Sequence, residues 1–155
     1  MRVSSRPLGP VSIALACALA SALAACGGSS YKGLSKADFV TRADAICKAD
    51  NAKFADAAKG IGDNPTLAQV KSLFSDQLLP MFRSEVSELR ALKPPKADRA
   101  AVKKLLDEVA TGADQIESAT KKATTLKELQ DLTPPALDQA NKDAKAYGLK
   151  VCGES

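Results

Sequence analysis

The chain contains no histidine and no tryptophan, and aromatic residues make up only 4% of it. Without histidine there is no Ser/His/Asp triad and no imidazole to activate a cysteine nucleophile. The commonest nitrogen ligand of zinc is missing as well. Gly27-Gly28 and Gly60-Ile61-Gly62 lack the flanking strand and lysine of a phosphate-binding loop. The acidic pairs Glu85/Glu88 and Asp107/Glu108 stand at spacings typical of exposed helix surface rather than of acid–base chemistry. These absences point away from an enzyme and imply no metal and no cofactor. With so few aromatics, the core must be thin and built from Leu, Val, Ile, Ala and a few Phe.

What the chain does have is helix-forming composition. Hydrophobic residues are 45% of it, many of them alanine, and the rest is rich in Lys, Glu, Asp and Leu. A length of 155 residues suits one domain plus a targeting segment. The net charge is +4, but Arg2 and Arg6 lie in the first 25 residues, and without them the balance is 20 basic to 18 acidic residues. That is too even to imply nucleic acid. Lys103-Lys104 and Lys121-Lys122 stand among Asp107, Glu108 and Glu117 and read as solvated helix faces.

Arg2 and Arg6 precede an apolar run from Val11 to Ala24. Its 14 residues fall short of the roughly 20 that span a bilayer as a helix and fit a signal-peptide core. The run ends in Leu23-Ala24-Ala25-Cys26, which resembles the lipobox of bacterial lipoproteins. The resemblance implies diacylglyceryl transfer to the Cys26 sulfur and cleavage by the lipoprotein signal peptidase, which recognises Leu23, Ala24 and Ala25. The chemistry explains the pattern: a thioether needs the nucleophilic sulfur of cysteine, and the protease needs small side chains beside the scissile bond. Two or more acyl chains hold stably on a membrane. On this reading 1–25 is a signal peptide, 26–34 a lipidated flexible tether rich in glycine and serine, and 35–155 the folded domain.

Of the four cysteines, Cys17 leaves with the signal peptide and Cys26 carries lipid. Cys47 and Cys152 remain, in an oxidising compartment, and are expected to form a disulfide. Two cysteines without histidine cannot supply the four ligands of a zinc site. Closing a loop of roughly 100 residues stabilises by about 4–5 kcal/mol in the chain-entropy account.

Helical spacing runs through the rest. Ser35 starts the first helix, whose stripe is Phe39, Ala43, Ile46, Cys47, Phe54 and Ala57, and Gly60 and Gly62 stop it. Thr66 caps a second helix carrying Leu67, Val70, Phe74, Leu78, Met81, Phe82, Val86, Leu89 and Leu92. Pro80 lies inside that stripe and predicts a kink or break near Leu79. A third helix spans about 97–123, with Val102, Leu105, Leu106, Val109, Ala113 and Ile116 inward. Leu126, Leu129 and Leu132 form a short helix or turn. Thr133 as N-cap and Pro134 at the first helical position start the last helix, which ends at Gly148. A short extended tail then delivers Cys152. No strand pattern and no internal repeat competes, and the expected fold is an all-α, four-helix up-down bundle closed by one disulfide.

Asp50 lies within about 20° of Phe39 on a helical wheel and so points toward the apolar face. A buried carboxylate needs a partner. Either it forms a salt bridge at the bundle rim, or it contacts a ligand inside the bundle. Arg83 and Arg90 are lesser candidates of the same kind, and Tyr147 reads as a core residue with its hydroxyl at the surface.

Ala43-Asp44-Ala45-Ile46-Cys47, Glu88-Leu89-Arg90-Ala91-Leu92-Lys93-Pro94-Pro95 and Ala146-Tyr147-Gly148-Leu149 with Cys152-Gly153 resemble segments of small helical lipoproteins from high-GC bacteria, notably actinobacteria. That resemblance implies the bundle and the disulfide and no established activity. Three functions are in play. The first is a non-enzymatic interaction module on the extracytoplasmic face of a membrane, held by lipid on Cys26, with an envelope protein or the cell wall as partner. The second is a small carrier for a lipid or other apolar ligand between the helices, which a cavity well above about 300 Å³ favours. The third, an enzyme, needs a cleft with converging carboxylates.

Overall fold

The computed structural model describes residues 31–154. Leu23, Ala24, Ala25 and Cys26, which resemble a lipobox, lie outside the described residues. Among the described residues every regular element is helical: α1 (Lys36–Lys59), α2 (Leu67–Leu73), α3 (Leu79–Ala91), α4 (Arg99–Lys122), α5 (Leu126–Gln130) and α6 (Pro135–Tyr147). None is long and apolar enough to cross a membrane.

The starts of these helices follow local chemistry. The Ser35 hydroxyl accepts the Asp38 N–H, which satisfies one orphan donor of the first turn. Thr66 with Gln69 and Thr125 with Glu128 form reciprocal capping boxes. The last helix starts one residue later than its sequence predicts. Pro134 is the N-cap and Pro135 holds the first helical position, because a second proline, which also lacks an N–H, fits that position equally well. Gly148 closes α6 with φ 106°, a left-handed conformation that glycine adopts without a Cβ penalty. The tail beyond it is not extended: it turns into a 3-10 segment at Cys152–Glu154.

Pro80 does not break the second helix. Phe74–Leu78 forms a π-helical turn between α2 and α3, and the Leu79 N–H donates five residues back to the Phe74 carbonyl. Backbone angles at Leu78 and Leu79 stay helical. The wider turn absorbs a proline that has no proton for the Asp76 carbonyl.

Pairwise contacts order the long helices. The Leu34 N–H donates to the Lys93 carbonyl at 2.7 Å, bringing the start of α1 to the end of α3. Arg90 reaches Asp107, and Arg83 reaches Asp114 and Glu117, down the length of α3 and α4. Tyr147, ending α6, bonds Asp98, which precedes α4. The Leu34–Lys93 and Tyr147–Asp98 pairings set the end of one long helix beside the start of another, and the arginine pairs run α3 against α4.

Cys47 and Cys152 are bonded, with Cα atoms 5.2 Å apart across 105 residues of sequence. The Asp44 carboxylate, one turn before Cys47, accepts the backbone N–H groups of Lys150, Val151 and Cys152 at 3.0–3.3 Å. The segment expected as tether is partly docked. The Tyr31 hydroxyl donates to the Pro94 carbonyl at 2.7 Å, and Arg99 lies 4.6 Å from the Tyr31 ring centre. Gly33 passes so close to Pro94 that an added Cβ would stand 2.4 Å from its carbonyl oxygen. Residues 31–34 therefore pack against the α3–α4 connection.

Candidate ligand cavity

Small side chains line the inner face of two helices. Ala43 and Cys47 on α1 and Ala140 and Ala144 on α6 are buried. Opposite them stand Leu89 on α3 and Val102, Leu105, Leu106 and Val109 on α4, which are too short to close the gap. A chain with this few aromatics does not fill the space. The result is a cavity of about 370 Å³ bounded by α1, α3, α4 and α6, with mostly apolar walls.

Polar groups mark its edges. Lys36 places its ammonium 4.4 Å above the Tyr147 ring, which also meets Phe39 edge-on at 5.8 Å. The Tyr147 hydroxyl donates to Asp98 at 2.8 Å, and burial, with that bond second, pushes its pKa well above the ordinary phenol value. Lys104 and Asp143 face each other at 2.6 Å on the α4–α6 side, and Lys104 also reaches Glu108 at 2.7 Å. At the level of Phe82 the wall is Glu85, only 8% exposed.

Pairing with Glu88 predicts an exposed Glu85, and the structure corrects this. Glu85 falls three residues after Phe82 and four before Leu89, so the apolar stripe of α3 carries it inward. It makes no hydrogen bond among the described residues. Burial first, then the nearby charges of Asp50 and Glu88, raise its pKa to about 7, with Lys53 opposing them. The spacing itself holds the signal: a glutamate between two core positions one turn apart is a buried glutamate.

Asp50 is buried at 3% exposure, as its place on the wheel predicts. One carboxylate oxygen accepts the Lys53 ammonium at 2.6 Å, which is the salt bridge of the first alternative. The other is buried and has no hydrogen-bond partner among the described residues. Asp50 sits beside the cavity rather than on its wall, and Glu85 takes the position that sequence reasoning assigns to it. Arg83 and Arg90 are committed to ion pairs on the outer α3–α4 face. Glu108 and Asp107 are likewise engaged, by Lys104 and by Lys103 with Arg90. A broader groove of about 700 Å³ beside Tyr31, Lys93 and Arg99 reaches the core residues Leu89, Val102 and Leu106 from the α3–α4 side.

No group of acidic or cysteine side chains among the described residues is placed to hold a metal ion. Compared with known proteins, the chain matches no family model, no curated protein and no solved structure. The arrangement can enclose an apolar molecule and present one carboxyl group to it.

Proposed function

We propose that this chain is a lipoprotein of the extracytoplasmic membrane face whose helical domain carries a small apolar ligand between its helices. The observation that carries this reading is the cavity of about 370 Å³ in the bundle core. An engineered cavity of about 150 Å³ holds a benzene molecule, so this one accommodates a ligand of on the order of a dozen carbons. The lipobox-like Leu23-Ala24-Ala25-Cys26 supports the anchor, which would keep such a carrier at the surface where apolar molecules partition. The reading as a docking module for an envelope protein or the cell wall retains its basis in the sequence, and the cavity favours the carrier over it.

Native mass spectrometry of the Cys26→Ser chain, exported and purified from its own host envelope, tests this. Extra mass of roughly a few hundred daltons that disappears on denaturation is the expected result. A bare mass, together with no uptake of a neutral apolar fluorescent probe, would overturn it. Ala140→Phe projects a ring into the cavity from α6 and should abolish probe uptake while leaving the helical circular-dichroism signal intact.

A further inference from the structure

Glu85 sets the chemistry of the ligand's polar end, if the carrier reading holds. The residue is only 8% exposed, lines the cavity beside Phe82, and its carboxyl has no hydrogen-bond partner among the described residues. A second unsatisfied acceptor lies next to it, the buried Oδ2 of Asp50. The charges around this spot do not balance. Asp50, Glu85 and Glu88 surround one cation, Lys53, whose ammonium is spent on Asp50 Oδ1. The other charged groups on the cavity wall are occupied elsewhere: Lys104 with Glu108 and Asp143, and Lys36 over Tyr147. The site is short of positive charge, at the edge of an apolar space.

We propose that the cavity selects amphiphiles with an apolar tail and a protonated primary amine, the ammonium donating to Glu85 and the tail lying among Leu105, Leu106 and Val109. An alkylammonium brings three N–H donors and the missing charge, and it keeps its proton through the neutral range. An alcohol of the same length satisfies one acceptor and no charge. A carboxylate adds a fourth negative charge and is repelled. Charge-assisted hydrogen bonds in a poorly solvated site are the strong ones. The raised pKa of Glu85 agrees with this reading, since the acid end waits partly protonated for a partner that would hold it ionised.

The test is isothermal titration calorimetry of the exported Cys26→Ser chain with decylamine, 1-decanol and decanoate at neutral pH. Decylamine should bind about ten-fold or more tighter than decanol, and decanoate weakest. Glu85→Gln should bring decylamine down to the level of decanol. Because Glu85 is about half protonated near pH 7 in the free protein, decylamine binding should also release about half a proton, read from the dependence of the heat on buffer ionisation. That readout uses the unsubstituted Glu85 and stands even if Glu85→Gln fails to fold. Equal affinity for the three tails, no proton release, or an amine preference that survives Glu85→Gln would each overturn the amine selectivity and leave the carrier standing. Failure of all three to bind would overturn the carrier itself.

Discussion

The carboxylate of Asp44 accepts the backbone N–H of Val151 at 3.0 Å, joining the middle of α1 to the tail that carries Cys152. With the Lys150 and Cys152 N–H groups on the same side chain, this is a second, non-covalent clasp beside the Cys47–Cys152 bond.

Removing the covalent clasp with Cys47→Ser and Cys152→Ser should lower stability by about 4–5 kcal/mol, since the bond closes a loop of about 105 residues. Asp44→Ala in the oxidised protein should cost about 1 kcal/mol, because partly buried backbone donors lose a charged acceptor. Urea denaturation of both and of the combination checks this. The combined loss should be smaller than the sum, since a tail freed by one change gives the other little left to hold.

Glu85 makes stability depend on pH in a direction opposite to that of a salt-bridged acid. Below about pH 4.5 its carboxyl is protonated in both folded and unfolded chains. Between there and about 7 the unfolded chain loses the proton while the folded chain keeps it, so stability falls as pH rises. Above that range the full cost of burying the charge is present, up to about 3 kcal/mol and less where water enters the cavity. Glu85→Gln should therefore be more stable than the parent at about pH 8 and nearly equal to it at about pH 4. Melting temperatures across that range test the sign. If the parent gained stability toward alkaline pH relative to Glu85→Gln, the burial of this acid would be refuted.

Two glycines mark close approaches. At Gly112 an added Cβ would stand 2.4 Å from Leu137 Cδ2 and 2.5 Å from its Cγ. Gly112→Ala should force Leu137, a cavity-lining residue, into another position, at a cost of about 1–3 kcal/mol. At Gly33 the obstacle is the Pro94 carbonyl, which is backbone and cannot swing away. Gly33→Ala should undock 31–34 from the α3–α4 connection. Proteolytic cleavage just before α1 should speed up, while the unfolding midpoint changes little.

Tyr147→Phe removes the donor to Asp98 and keeps the ring that meets Phe39. The expected loss is about 1 kcal/mol, measured by denaturation. A much larger loss would mean that the hydroxyl holds α6 to the start of α4.

Much of this fold is legible in the sequence because its signals are local. Ser35, Thr66, Thr125 and Gly148 act within one turn of their own helix. The disulfide comes from counting cysteines once Cys17 and Cys26 are set aside with the segment that resembles a lipobox. Asp50 is found by angle alone. The burial of Glu85 can be read from its spacing, but its charge cluster with Asp50 cannot, because Asp50 belongs to a different helix and only packing brings the two acids together. The cavity is not a property of any residue either. It arises where the small side chains of Ala43, Cys47, Ala140 and Ala144 leave space beside the rings of Phe39, Phe82 and Tyr147 and the aliphatics of α4. The rule that proline breaks a helix fails at Pro80, where neighbouring residues have room to widen a turn.

That widened turn has a bearing on how the chain tolerates insertion and deletion. A π turn holds about one residue more than the α turn it replaces, and so takes up an extra residue without rotating the helix beyond it. Ser75, Asp76 and Gln77 are exposed, so any one of them is superfluous to packing. Deleting one should convert the segment to ordinary α-helix and keep Leu79, Val86 and Leu89 facing the core, at the cost of the lost bond and carbonyl clash that Pro80 brings to an α turn. In this stretch alone, the reading frame of the helix has a spare place in it.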